Sequence, residues 1–177
     1  MNIIYKIYLN INNYLLTIMD INKWSIWYHH EKDNWKLSGY KKIYDIVTIE
    51  DFWKFYNNWS IVGGVTNKHF FLMKEGITPI WEDIENINGG CWSFKVQEDQ
   101  AEELWEDLSV YLACNQICPS IKDEIIGLSI CMKKNNNTVI KIWNKKSKNN
   151  SLKLINETIL KKWGMDIIYI AHMPDSK

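Results

Sequence analysis

Two tryptophans of this sequence stand in polar loops, where an indole ring is unfavourable unless it contacts something. Trp35 lies in the stretch HEKDNWKLSG, and Trp81 lies in TPIWEDIEN, where Glu82 and Asp83 follow it at once. One interpretation is that both rings cover the edge of the core, as aromatic side chains commonly do. The other interpretation is that the two indoles form the walls of a slot, with Glu82 at its floor.

Such a slot has a definite chemical complement. Two indole faces attract a flat cationic ring by stacking and cation–π interactions, each worth on the order of 1 kcal/mol. A carboxylate in the plane of that ring can accept two charge-assisted N–H hydrogen bonds, which contribute about 1.5–3 kcal/mol. Guanine presents N1–H and its 2-amino group side by side, and methylation at N7 makes it cationic. The residues alone thus suggest a 7-methylguanine ligand and leave the core-edge interpretation open.

Length and composition exclude several classes of protein. With 177 residues, the chain has the length of about one domain and can bury a core without disulfides or metals. The 21 basic residues equal the 21 acidic residues in number, which excludes a general polyanion binder but not a local basic patch. Every basic residue is lysine, so any phosphate contact must use an ammonium point charge instead of a bidentate guanidinium.

The sequence predicts no metal site and no membrane span. The four cysteines form no C-x-x-C pair and lie far in sequence from the four histidines, so we expect free, mostly buried thiols in a reducing compartment. No continuous apolar run reaches the 18 or so residues that a membrane span needs. The apolar run over residues 1–20 is interrupted by Asn and Lys. We expect a loose arm over 1–20, followed by a single domain over 21–177.

The elements that must position these loops are strands and helices without a β-α-β rhythm, which favours an α+β fold with an antiparallel sheet. Strand patterns cover residues 24–28, 40–47, 69–74, 91–96, 126–132, 138–143 and 167–171. Helices are predicted from an N-cap at Thr48 to about 59, over 99–114, and over 152–162 with Gly164 closing the last one. On the second helix, four acidic residues should face water: Glu102, Glu103, Glu106 and Asp107.

Four stretches of the sequence carry a longer pattern: NKWSIWYHH, TIEDFWKFYN, GITPIWEDIENINGGCW and VIKIWN. In this order they resemble the cap-binding family of eukaryotic translation initiation factor 4E. The run P-x-W-E-D followed closely by G-G-x-W is specific, and the resemblance extends from about Asn22 to His172. It implies a curved antiparallel β-sheet, with a cap-binding slot on the concave face and about three helices on the convex back.

The resemblance also assigns roles to residues of the slot. It implies that Trp35 and Trp81 sandwich the 7-methylguanosine cap of an mRNA and that Glu82 holds the guanine edge. The backbone N–H of Trp81 would bond the guanine O6, and Trp143 would lie near the N7-methyl group. The family's activity is binding, so we expect no catalytic residue and no cofactor.

The residues expected at the cap triphosphate depart from the family's usual set. Cys91 stands where the family often has Arg, and Lys133 falls where an Arg of the hairpin is expected. Lys141 lies two residues before Trp143, so strand alternation puts both on the same face. We therefore expect Lys133 and Lys141 to contact the triphosphate, with Lys134 in support. The alternative is that this Lys–Asn hairpin tip is only a solvated turn.

The expected partner surface departs from the family as well. The resemblance implies that a helical motif of the scaffold subunit 4G docks on the back around Trp53, and the stretch from Ile49 to Trp53 is intact. However, Glu106 replaces an apolar residue expected directly after Trp105. A carboxylate in an apolar groove destabilises binding unless the partner supplies a cation. We therefore expect one of two situations. Either the partner, a 4G-like protein or another protein with a 4E-binding helical motif, is divergent and carries a basic residue, or this protein binds caps without recruiting the usual scaffold.

Three other functions remain open at this point. A homologue that sequesters capped mRNA without recruiting the scaffold has the same slot. An enzyme acting on caps would need a nucleophile–base pair, paired metal-binding carboxylates or a P-loop, and the sequence has none that we recognise. The third alternative is a Trp-lined sugar-binding module, which is excluded if 7-methyl-GTP binds far better than sugars.

Overall fold

The computed structural model describes residues 22–31, 33–62, 69–133, 137–164 and 166–173. The predicted arm over 1–20 and the predicted phosphate ligand Lys134 lie outside these residues. The strands of the described part are β1 Trp24–His29, β2 Tyr40–Ile46, β3 His69–Lys74, β4 Gly90–Gln97, β5 Ile125–Lys133, β6 Asn137–Asn144 and β7 Ile167–Ala171. Its α-helices are α1 Ile49–Asn57, α2 Glu98–Ala113 and α3 Glu157–Trp163.

The seven strands of the described part form one curved sheet in the order β2-β1-β3-β5-β6-β4-β7. Every neighbouring pair is antiparallel, as the absence of a β-α-β rhythm predicted. The strand prediction is confirmed to within one or two residues at each end. None of the described helices is long and apolar enough to cross a membrane.

The two faces of the sheet carry different cores because successive side chains of a strand point to opposite sides. On β4, Trp92 and Phe94 pack into the main core with the helices. Cys91 belongs to a smaller cluster on the opposite face, which is the concave face. That cluster consists of Tyr40, Phe71, Met73, Ile77, Cys91, Ile126 and Trp143.

Helix α1 begins where the sequence predicts it. The Thr48 hydroxyl accepts a hydrogen bond from the backbone N–H of Asp51 at 3.1 Å, and the Asp51 carboxylate accepts one from the backbone N–H of Thr48 at 3.0 Å. This reciprocal pair is a capping box, which satisfies N–H groups that the first helical turn leaves unpaired. Phe52 and Phe55 are the buried residues of the helix, and they anchor it on the convex side of the sheet.

The predicted helix over 152–162 is wrong in its first part. Residues Leu152–Leu154 form a short 3-10 turn, and α3 begins only at Glu157. Asn156 is the reason, because its side-chain oxygen accepts from the backbone N–H of Thr158 at 2.9 Å while its amide donates to the carbonyl of Gln116 at 3.1 Å. An Asn bonded in this way favours a cap over a helix interior. The predicted end of the helix at Gly164 is confirmed.

The prediction that Asp107 faces water is also wrong. Its carboxylate accepts hydrogen bonds from Lys162 Nζ at 2.6 Å and from the indole N–H of Trp163 at 2.9 Å, so it joins α2 to α3. Glu106 is half-buried as well, whereas Glu102 and Glu103 are exposed as predicted. The helical period identifies the buried stripe of α2, but it does not anticipate a neighbouring helix that supplies polar partners.

Candidate functional site

The loop between β3 and β4 carries Trp81 and Glu82, and the carboxylate of Asp83 organises it. This carboxylate accepts hydrogen bonds from the backbone N–H and the hydroxyl of Thr78 at 2.9 and 2.5 Å, and from the backbone N–H of Glu85 at 3.0 Å. Burial acts to raise the pKa of Asp83, but these hydrogen bonds outweigh it and hold the pKa below its ordinary value. The loop is therefore tied together on both sides of Trp81.

A second polar side chain, Asn86, closes the same loop from within. It is fully buried, and its amide donates to the carbonyls of Thr78 at 2.8 Å and Ile80 at 2.6 Å. Trp81 projects from this loop with 49% of its surface exposed. Glu82 is exposed too, and its carboxylate accepts no hydrogen bond from the described residues. A fixed loop thus presents an indole and, next to it, an exposed carboxylate.

The loop between β1 and β2 presents the other indole. Trp35 is 56% exposed, and its ring stacks on the imidazole of His29, with centroids 4.4 Å apart and planes at 23°. The His29 ring donates from Nε2 to the carbonyl of Asn34 at 2.8 Å. Gly39 allows this geometry, because a Cβ at that position would lie 2.0 Å from the same carbonyl oxygen.

Tyr40 connects the two loops. Its ring packs against His29 at a centroid distance of 4.6 Å. Burial raises the pKa of Tyr40 to about 12, and the negative charge of Glu82 contributes to the rise. Glu82 is therefore close enough to act on Tyr40, and the structure brings Trp35 and the Trp81–Glu82 pair to the same face of the sheet.

Trp143 lies on this concave face but beneath the exposed indoles. It is only 2% exposed, its indole N–H donates to the hydroxyl of Ser129 at 3.0 Å, and its ring packs against His172 at 4.5 Å. Trp143 thus contributes to the floor of the face, and any contact with a ligand is limited to the edge that remains accessible.

Among the predicted phosphate ligands, Lys141 occupies the centre of the concave face. It pairs with Ser93 on β4 and with Ser129 on β5, and its ammonium forms no ion pair with the described residues. Its charge acts on two neighbours. Burial raises the pKa of the Cys91 thiol against a smaller lowering by Lys141, and burial together with Lys141 lowers the pKa of His172.

The other lysines near this face are placed differently. Lys133 is the last residue of β5 and pairs with Asn137, and Lys134 is outside the described residues. Lys145 forms an ion pair with Glu85, and Lys146 forms one with Glu124 at 2.7 Å. Lys141 thus differs from Lys145 and Lys146, because it forms no ion pair with the residues that the structure describes.

The predicted partner residues lie on the helical layer, opposite the two exposed indoles. Trp53 is half-buried, and its ring stands perpendicular to Phe52 at 5.2 Å. Its indole N–H is buried without a hydrogen-bond partner among the described residues. Ile49 and Glu106 are half-buried on α1 and α2. In the described ranges, no three His, Cys, Asp or Glu side chains come together as a potential metal site.

Sequence reasoning missed the side chains that hold the slot in place. His29 and His172 each support one of the two exposed tryptophans, and Asn86 and Asp83 shape the loop of Trp81. A weak signal was available for His29, which stands at the end of a predicted strand and directly before the loop of Trp35. His172 follows the last predicted strand, far in sequence from either proposed binding loop. Nothing in the sequence indicates which tryptophan each histidine would contact.

A curved antiparallel sheet with helices on one face and two supported indoles on the other defines a protein of the initiation factor 4E fold class. The sequence model of the family described as eukaryotic initiation factor 4E matches residues 21–173. The chain therefore belongs to the eukaryotic initiation factor 4E family, as its sequence pattern implies.

Individual relatives agree with this assignment. The Arabidopsis thaliana eukaryotic translation initiation factor NCBP is 33% identical over 130 residues, which cover 70% of this chain and 57% of that protein. The Caenorhabditis elegans eukaryotic translation initiation factor 4E-3 is 34% identical over 92 residues, or 51% of this chain and 37% of that protein. The matched part thus spans little more than half of the first relative and little more than a third of the second.

Solved structures agree as well. A complex of C. elegans eIF4E-3 with the 4E-binding protein Mextli and cap analog superposes with a TM-score of 0.74 at 25% identity, covering 85% of this chain and 90% of that one. The complex of Ascaris suum eIF4E-3 with m7G cap gives a TM-score of 0.71 at 24% identity, covering 90% and 96%. The predicted fold is confirmed.

Proposed function

We propose that this protein binds the 7-methylguanosine cap at the 5′ end of mRNA by sandwiching the base between Trp35 and Trp81. One observation carries the proposal: two half-exposed indoles stand on separate, internally bonded loops, and the exposed carboxylate beside one of them accepts no hydrogen bond from the residues that the structure describes. The C. elegans relative solved with a cap analog has the same fold. Family membership further supports a role in translation initiation in the cytoplasm.

The base is recognised by charge and by hydrogen bonding. The cationic ring of 7-methylguanine gains cation–π attraction from each indole face. Glu82 accepts hydrogen bonds from N1–H and the 2-amino group, and its negative charge balances the methylated ring. The backbone N–H of Trp81 donates to the guanine O6. Trp143 meets the ligand from the floor with its accessible edge.

The triphosphate is held by single lysine charges. Lys141 provides the central contact because its ammonium stands on the concave face without an ion pair among the described residues. Lys133, the last residue of β5, and Lys134, the next residue in the sequence, are proposed to add positive charge for the triphosphate. Lys145 and Lys146 contribute less because acidic side chains already balance them.

A helical segment of a 4G-like scaffold, or of another 4E-binding protein, docks on the opposite face. Trp53 supports this part of the proposal because its half-buried ring lies on the helical layer and presents apolar surface to a docked helix. Ile49 adds apolar surface. The C. elegans relative was solved in complex with the 4E-binding protein Mextli.

Glu106 supports a second candidate, a homologue that sequesters capped mRNA without recruiting the ordinary scaffold. A half-buried carboxylate on α2 places a charge where the family has an apolar residue, and this charge disfavours the docking of an ordinary apolar scaffold helix. Purification on 7-methyl-GTP resin separates the two functions. An initiation factor brings a large scaffold chain with it, whereas a sequestering homologue elutes without one.

The direct test is a titration of 7-methyl-GTP and of unmethylated GTP, followed by intrinsic tryptophan fluorescence. We expect quenching by both ligands and a preference of at least tenfold for the methylated one, because only that base is cationic. Equal affinity for the two nucleotides would contradict cap recognition. Incubation with a cap analogue followed by chromatography checks for turnover, which we do not expect.

A further inference from the structure

We infer that His172 is a positioning residue that holds the indole of Trp81 in the orientation needed to form one wall of the slot. The inference rests on the proposed function, since it concerns the same site. It concerns a residue that the sequence pattern does not assign to cap binding.

The ring contacts of His172 are the first observation. Its imidazole lies parallel to the Trp81 indole, with centroids 6.0 Å apart and planes at 7°. The same ring packs against Trp143 at 4.5 Å and 54°. His172 is 4% exposed, so it fills the space between the exposed indole and the buried one. Trp81 therefore rests on a ring that is itself fixed from below.

The hydrogen bonds of His172 are the second observation. Its backbone N–H donates to the carbonyl of Gly89 at 3.0 Å, and its Nδ1 lies 2.8 Å from the carbonyl of Asn86. Since a carbonyl only accepts, Nδ1 carries the proton. The side-chain amide of Asn86 in turn donates to the carbonyls of Thr78 and Ile80, which precede Trp81 in the same loop. His172 thus joins the end of β7 to the framework of the Trp81 loop.

The charge state of His172 fits this role. Its Nε2 is buried and has no hydrogen-bond partner among the described residues. Burial, and secondarily Lys141, lower its pKa, although the bond to Asn86 acts in the opposite direction. The ring is therefore neutral at physiological pH. A neutral ring behind Trp81 does not compete with a cationic base for the indole.

The expected benefit is a smaller ordering cost when the base binds. A half-exposed indole without a supporting ring samples several rotamers, and fixing one rotamer on binding costs about 0.5–1.5 kcal/mol. That range corresponds to roughly a two- to tenfold change in the dissociation constant. His172 provides this ordering before the ligand arrives.

The test compares four variants in the 7-methyl-GTP titration, each checked for folding by thermal unfolding. His172→Ala removes the ring, His172→Phe keeps a ring but not the N–H, and His172→Asn keeps an N–H donor but not the ring. Met173→Ala is the control, because Met173 is the next residue and is 57% exposed. We expect His172→Ala and His172→Asn to weaken binding about three- to tenfold, and His172→Phe and Met173→Ala to bind within about twofold of the parent.

Coupling to Trp81 decides whether His172 acts through that indole. In a Trp81→Ala background, His172→Ala should cause no further loss, because the wall that it positions is gone. The inference is overturned if the loss is the same in both backgrounds, or if His172→Asn binds like the parent while His172→Phe does not. If Trp81→Ala alone leaves 7-methyl-GTP binding unchanged, the proposed sandwich itself fails, which is a distinct result.

Discussion

The indole of Trp35 lies face to face with the imidazole of His29, with ring centroids 4.4 Å apart. One face of Trp35 is therefore occupied within the protein, and the other face is the one available to a ligand. The Trp81 indole lies parallel to the His172 imidazole, with planes at 7° and a wider centroid separation of 6.0 Å. Each proposed wall of the slot thus lies against a histidine ring, and the faces turned away from these histidines are the ones that we expect to contact a flat base.

The two walls should contribute separately to cap affinity. Trp35→Ala and Trp81→Ala each remove one stacking and cation–π surface and leave that side of the base in water. We expect each variant to weaken 7-methyl-GTP binding at least tenfold, which corresponds to about 1.4 kcal/mol. Fluorescence titration measures the loss, and Trp163→Phe, on the helical layer, is the control. Parent-like binding by either alanine variant would show that its ring belongs to the core edge.

Glu82→Gln tests the recognition of the guanine edge. The amide keeps one acceptor oxygen but places an NH2 donor against the donors of guanine, and it loses the charge that balances the methylated ring. We expect a large loss for 7-methyl-GTP and a smaller one for GTP, so the ratio of the two affinities should fall. Asp99→Asn, a neutralisation on the first turn of α2, is the control. An unchanged ratio in Glu82→Gln would contradict the assigned role.

Trp53→Ala should separate the two faces of the protein. Trp53 lies on the helical layer, so the variant should bind 7-methyl-GTP like the parent and lose binding of a 4E-binding helical peptide. Glu106→Leu should strengthen binding of an ordinary apolar scaffold peptide by removing a half-buried carboxylate. Isothermal titration with the peptide, with and without cap analogue, measures both effects. If Trp53→Ala weakens cap binding as much as peptide binding, Trp53 is a core residue.

Asp83 makes the stability of the protein depend on acidity. The hydrogen bonds from Thr78 and Glu85 hold its folded-state pKa below the ordinary value of 3.8, so the unfolded chain takes up a proton first as pH falls. The stabilisation is therefore complete above about pH 5 and is lost as pH falls through 3.8 and below. Urea unfolding measures the free energy of unfolding at pH 7 and at pH 3. Between these two pH values, this free energy should change less for Asp83→Asn than for the parent. An equal difference would mean that Asp83 is not the group responsible.

Much of the fold was predictable because strand alternation and helix capping are local properties. Thr48 and Asp51 form the predicted cap within four residues of sequence, and Lys141 shares a face with Trp143 because they are two residues apart. The start of the last predicted helix was wrong because Asn156 bonds to the carbonyl of Gln116. That partner is distant in sequence, so a local pattern does not reveal it. The supports of the slot are distant contacts of the same kind: His172 reaches Trp81 only because β7 pairs beside β4.

The triphosphate of a cap carries about three to four negative charges, whereas the protein has no net positive charge to balance them. A local cation must meet it, and Lys141 is the candidate because it stands on the concave face without an ion pair among the described residues. We expect Lys141→Ala to weaken 7-methyl-GTP binding several-fold and to leave the 7-methylguanosine nucleoside nearly unaffected. Lys133→Ala should act in the same direction.

Salt provides the independent check on this assignment. A half-exposed lysine contact is screened at high ionic strength, so the preference of the parent for triphosphate over nucleoside should shrink as salt is added. In the Lys133→Ala/Lys141→Ala double variant, the preference should already be small and nearly independent of salt. Lys161→Ala is the matched control, since Lys161 is an exposed lysine on α3 that pairs with Glu157 at 2.7 Å. A double variant that keeps the preference of the parent would transfer the role to Lys134, Lys145 or Lys146, and the two ion-paired lysines would then have to leave Glu85 or Glu124 when the cap binds.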